Sequence, residues 1–185
     1  MSTVDLVIKG AQLPDGKSAD ICIQGESIID VTASYKGESV KTIDAKGCVV
    51  LPGLVDLHTH LREPGREDAE TVLSGSKAGA KGGFTALSAM ANTSPVADTA
   101  GVVEQVYRLG QEAGLLDVFP IGAVTQGLKG ETLSEIGAMA DSVARVRVFS
   151  DDGNCVSDPL VMRRALEYIK KFGGVIAQHA QDPRM

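Results

Sequence analysis

Through the first 50 residues, apolar and polar positions alternate. Val4, Leu6 and Ile8 recur every second place, as do Ile21 and Ile23, and Pro14, Asp15 and Gly16 separate the two runs. A period of two puts alternate side chains on one face of a strand, and proline, aspartate and glycine supply a turn, so residues 1–50 predict a small β module. Beyond residue 50 the pattern changes. Strand-like runs recur at 55–60, 85–90, 117–124, 145–150 and 174–180. Their starts are about 30 residues apart, the span of a strand plus a crossover helix.

The segments between them read as helices. Residues 67–81 end in lysine and then Gly82 and Gly83, while 99–112 set Val102, Val103, Val106 and Leu109 on one stripe. Pro159, behind Ser157 and Asp158, suits a first helical turn, and the helix to Phe172 stops at Gly173 and Gly174. The prediction for residues 51–185 is therefore a parallel α/β array of five strand–helix units. A closed barrel of this kind needs eight units and about 250 residues. Either the chain is a piece of a larger protein or a partner completes it.

Composition narrows the function. The 185 residues are 43% hydrophobic with a net charge of -6, which suits a globular protein and offers no basic face for nucleic acid. The expected partner is a small molecule or another protein. The three cysteines, Cys22, Cys48 and Cys155, have no CxxC spacing, so neither a disulfide frame nor a cysteine zinc site is expected and a cytoplasmic setting fits. The first residues show no basic segment ahead of a long apolar run, and no stretch nears the roughly 18 apolar residues of a membrane helix. Neither a signal peptide nor a membrane association is expected.

The chemistry gathers just after the strands. Residues 55–65 read VDLHTHLREPG; two histidines two apart leave the same face of a strand and can grip one ion, with Asp56 and Arg62 expected on that face too. Such a polar stripe among leucine and valine is costly to bury unless it has a task. A second acidic candidate is the FSDDG segment, and a third imidazole is His179 in AQHA. Strand periodicity leaves Asp151 and Asp152 equivalent, and either suits a turn with Gly153. Mixed imidazole and carboxylate ligation at the mouth of a barrel suits catalytic zinc.

These motifs, PGLVDLHTHLREPG, GGFTALSAMANTSP, FSDDG and AQHAQD in that order behind a β module, resemble the amidohydrolase superfamily and within it the class I dihydroorotases. The resemblance implies a partial TIM-type (β/α) barrel, about five of eight units, over residues 51–185, preceded by a small β-sandwich module over 1–50. It implies zinc, two ions in a complete site, held by His58, His60, Asp151 and His179. Substrate would meet His60, Arg62 and Asn92, the last two gripping its carboxylate, as the planar fork of an arginine can do bidentately. The activity implied is the interconversion of (S)-dihydroorotate and N-carbamoyl-L-aspartate in de novo pyrimidine (UMP) biosynthesis. An aspartate in place of a carbamylated lysine distinguishes this group from hydantoinase-like relatives. Two departures stand out: Ala91 replaces the proline of an MPNT motif, and a further zinc histidine and the proton-carrying aspartate would lie beyond Met185. On this reading the chain is a fragment and inactive alone. The alternative is a catalytically silent dihydroorotase-like protein that supports aspartate transcarbamoylase.

Overall fold

In the computed structural model, which describes residues 3–182 and 184, the chain divides into two units, 1–52 and 53–185. The first holds a four-stranded sheet. β1 (Val4–Gln12) and β2 (Ser18–Gln24) form the hairpin that the alternation predicts, with Leu6 opposite Ile23 and Ile8 opposite Ile21. Its turn closes as expected: Asp15 Oδ1 accepts from Lys17 N at 3.0 Å and Gly16 takes a φ of 85°. β3 (Ser27–Thr32) lies antiparallel to β2, and β4 (Ser39–Asp44) parallel to β1, giving the order β3-β2-β1-β4. A bulge interrupts β1 between Ile8 and Ala11. There Gly10 donates to Asp20 Oδ1 at 2.9 Å, while Asp20 Oδ2 accepts from Tyr35 N at 2.9 Å. The Tyr35 and Gly10 amides hold the Asp20 carboxyl below its ordinary range.

The expected sandwich is not formed by the described residues of this unit. All four strands belong to one ladder, so none is left to stack on it. Val7 and Cys22 are buried, but Ile28, Ile29, Val31 and Val40 stay exposed.

The second unit carries five parallel strands in chain order. β5 (Leu54–Thr59), β6 (Phe84–Ala89) and β7 (Asp117–Pro120) pair side by side, and β8 (Val148–Phe149) pairs with β9 (Val175–Ile176). A parallel bridge between Gly122 and Phe149 joins the two groups, with Gly122 N donating to Val148 O and Ser150 N to Gly122 O. β8 and β9 are shorter than their apolar runs suggest, and the chain after β7 stays on β6 through Ile121 N, which donates to Ala89 O, before crossing to β8 at Gly122.

Helices fill the connections. α1 (Val72–Lys81) starts five residues later than its pattern suggests, because Thr71 and Ser74 exchange a capping box. α2 (Ala100–Ala113) ends at left-handed Gly114. A short α3 (Ile136–Asp141), for which the sequence carries no clear stripe, precedes β8. α4 (Pro159–Ile169) is capped by Asp158, whose Oδ1 accepts from Leu160 N at 2.7 Å and Val161 N at 3.1 Å.

The core lies between helices and strands. Val72, Val106, Leu87 and Val118 form one cluster, and Phe149 packs with Ile136, Met139, Ala165 and Ile169 in another. At the two ends of the strand order, Leu54, Val55 and Leu57 of β5 and Val175 of β9 remain exposed. None of the described helices is long and apolar enough to cross a membrane.

Candidate metal centre

Parallel strands bring their C-terminal ends to one edge, and the polar residues that follow them meet there. His58, on β5, and His60, just beyond it, lie with ring centroids 5.1 Å apart. Both point Nε2 at one carboxylate: His58 Nε2 is 3.4 Å from Asp152 Oδ1 and His60 Nε2 3.6 Å from Asp152 Oδ2. His179, after β9, brings Nδ1 to 3.5 Å from Asp152 Oδ1. The ligand atoms of His58, His60 and Asp152 all lie within 4.8 Å of one another. His179 approaches the carboxylate outside that group of three.

This donor set fits zinc. Two ligands each about 2.0–2.1 Å from a tetrahedral ion lie about 3.3–3.4 Å apart, close to the observed separations between the ring nitrogens and the carboxylate oxygens. The spacing is longer than a good charged hydrogen bond. Asp152 is nearly buried while His58 keeps over half of its side chain exposed, so the centre opens to solvent on the histidine side.

Asp151, the aspartate expected to be the ligand, faces away from the imidazoles. Its Oδ1 accepts from Val124 N at 2.8 Å and Thr125 N at 3.0 Å, and its Oδ2 from the Thr125 hydroxyl. Those donors occupy the carboxylate and tie the chain after β8 to the chain after β7. The correction has a physical origin: consecutive residues leaving a strand point to opposite sides, so only one of the pair can reach the histidines. Burial pushes the Asp151 carboxyl above its ordinary range, against the opposing pull of its Thr125 and Val124 donors.

Strand geometry does not carry through to Arg62: β5 ends at Thr59 and Arg62 takes a φ of 58°. Among the described residues Arg62 makes no ion pair with Glu63 or Glu67; those carboxylates accept from Val72 N and Gly65 N. Asp56 Oδ1 accepts from His58 N at 3.0 Å and shapes the strand end rather than the carboxylate contact.

The loops of Arg62 and Asn92 pack together. Ser94 N donates to Pro64 O at 3.0 Å, and any side chain on Gly65, at a φ of 94°, would run into the Ser94 carbonyl. Ala91, in place of the expected proline, is fully buried and its carbonyl accepts from Ala97 N. Asn92 touches two of the converging residues: its Oδ1 lies 3.0 Å from His60 Nδ1, and its Nδ2 donates to Asp152 Oδ2 at 3.3 Å.

Sequence reading missed two supports. Thr125 follows an apolar run like any strand-end residue. Gln178 pairs with the Val156 backbone, Nε2 donating to Val156 O at 3.1 Å and Oε1 accepting from Val156 N at 3.4 Å. This holds the loop after Asp152 against the segment that carries His179; adjacency to His179 was its only sequence signal.

Residues 47–185 match a family model described as dihydro-orotase-like. The dihydroorotase of Leifsonia xyli subsp. xyli is 64% identical over 185 residues, covering 100% of this chain and 42% of the relative. That of Mycobacterium tuberculosis is 50% identical over 184 residues, covering 98% and 43%. Among solved structures, an L-hydantoinase (dihydropyrimidinase) from Arthrobacter aurescens superposes with a TM-score of 0.79 at 23% identity, covering 97% of this chain and 41% of that one, a likeness of fold alone. The chain thus spans 42–43% of the length of these curated relatives. Because the family match runs unbroken through the histidine strand, the aspartate loop and the last imidazole, the chain belongs to the dihydro-orotase-like family.

Proposed function

We propose that the chain supplies the metal ligands and the carboxylate clamp of a zinc-dependent dihydroorotase, which interconverts (S)-dihydroorotate and N-carbamoyl-L-aspartate in de novo pyrimidine biosynthesis. The observation that carries this reading is the approach of His58, His60 and His179 to the single carboxylate of Asp152 at the C-terminal edge of parallel strands. The five strand units are read as five of the eight of a (β/α) barrel, the rest belonging to the remaining length of the relatives.

His58, His60, Asp152 and His179 would hold the metal, both Asp152 oxygens facing imidazoles. The chemistry that zinc supplies in such a site is activation of a water near neutral pH and polarisation of a carbonyl. Arg62, free of ion pairs with its neighbouring glutamates, offers a planar fork to the substrate carboxylate. Asn92 uses one Nδ2 hydrogen on Asp152 and has a second for that same carboxylate. His60, beside Asn92, borders the bound molecule. The proton-carrying aspartate that the resemblance implies belongs to the later strands of the relatives.

Ring opening of dihydroorotate by the full-length protein tests the reading. Chelation should abolish turnover and zinc should restore it. Arg62→Lys should lower kcat/KM about 10–100-fold, the value of one charge-assisted hydrogen bond of about 1.5–3 kcal/mol. Full activity in the chelated protein, or an unchanged kcat/KM in Arg62→Lys, would remove the metal or the clamp from the proposal respectively.

A further inference from the structure

We infer that Asn92 is a positioning residue of the metal centre, locking His60 in the tautomer that aims Nε2 at the ion and steering the Asp152 carboxylate with the same side chain. The inference rests on the metal-centre reading above. Its basis is a pair of contacts from one planar amide: Asn92 Oδ1 to His60 Nδ1 at 3.0 Å and Asn92 Nδ2 to Asp152 Oδ2 at 3.3 Å.

The chemistry of the three groups fixes the proton. A carboxamide oxygen can only accept, so the facing His60 Nδ1 must carry hydrogen. A neutral imidazole protonated at Nδ1 keeps its lone pair on Nε2, and Nε2 is the atom directed at Asp152. The opposite amide orientation would set its oxygen against the Asp152 carboxylate, acceptor against acceptor. The network therefore selects the amide orientation, and that orientation favours hydrogen on His60 Nδ1 over hydrogen on Nε2 shared with Asp152.

The amide is held on a firm base. Ala91 is wholly buried and accepts from Ala97 N, Thr93 is buried with its hydroxyl on Pro95 O at 2.7 Å, and Ser94 N is bound to Pro64 O. Asn92 follows β6, whereas His60 follows β5 and Asp152 follows β8. One side chain thus couples two ligands from separate strands. Asparagine is the shortest side chain that puts an acceptor and a donor on one planar head; aspartate would set a second carboxylate against Asp152, and alanine or serine would not span the gap.

Long-range proton–nitrogen NMR correlations of the histidine rings in the labelled metal-free chain read the tautomer directly. His60 should carry its proton on Nδ1 in the wild type and become a mixture in Asn92→Ala. In competition with a chromophoric chelator, the zinc Kd of Asn92→Ala should rise about 10–100-fold, the usual effect of removing a partner that orients a ligand. A wild-type His60 protonated on Nε2 overturns the inference even if no variant folds. So does an Asn92→Ala chain that binds zinc within about twofold of wild type, and that result leaves the metal centre standing. A wild-type chain that takes up no zinc overturns the metal reading itself, and this inference with it.

Discussion

Two adjacent aspartates divide two tasks. Asp152 offers both oxygens to three imidazoles, and Asp151 spends both of its own on Val124 and Thr125. Asp152→Asn should therefore weaken zinc binding at least about 100-fold, because a neutral amide lacks the charge that makes a carboxylate a zinc ligand, with little change in the unfolding midpoint. Asp151→Ala should do the reverse: it strands two buried amides and a hydroxyl, and urea denaturation should report a loss of about 2–5 kcal/mol. Zinc titration of a folded Asp151 variant distinguishes the two roles, and loss of binding there with retained stability would make Asp151 the ligand. The histidine pair was legible at this scale because its period of two is a local property of a strand. The choice between the aspartates was not, since both sides of a buried parallel strand lack a solvent signature.

At the level of elements, two connections set the geometry. The loop of Arg62 lies against the loop of Asn92 with no room for a side chain at Gly65. Gly65→Ala combines an unfavourable left-handed backbone with a steric conflict, and should cost about 2–4 kcal/mol by denaturant titration; a neutral effect would show that the loops are not packed as described. In the β module, Asp20 closes the Gly10 bulge and fixes Tyr35. Its carboxyl is held below the ordinary value of 3.8, so its ionised form stabilises the fold at pH values above that figure and the contribution fades as pH falls through the lower folded value. Asp20→Ala should thus cost about 2 kcal/mol at neutral pH, with the gap from wild type narrowing under acid; a gap independent of pH would assign the loss to packing alone. The helices were readable from stripe and stop signals, but the start of α1 was not. Thr71 and Ser74 cap α1 through mutual contacts that place its start after an apparently helical run.

Taken whole, the molecule carries a site edge and two open flanks. Leu57 is 74% exposed on β5 and Val175 58% exposed on β9, apolar surface of the kind that further strands cover in a closed barrel. We expect the 185-residue chain to bind zinc through its convergent ligands yet to open dihydroorotate at least about 100-fold more slowly than a full-length relative, because loss of a positioned proton carrier alone costs about 10²–10⁴-fold. Parallel assays would settle this, and turnover within about tenfold of the relative would mean that the residues here suffice. The sequence by itself determined the β module with its hairpin, the repeated strand–helix rhythm, the histidine pair and the positions after the strands where chemistry gathers, because each is written in patterns of two to four residues or in a single turn. Only the tertiary structure decided that Asp152 faces the imidazoles, that Asn92 bridges His60 and Asp152, that the backbone leaves strand geometry before Arg62 and that residues 3–52 form one sheet layer. Those outcomes depend on which side chain the neighbouring strands and loops leave free, a competition among residues tens of positions apart that no local period records.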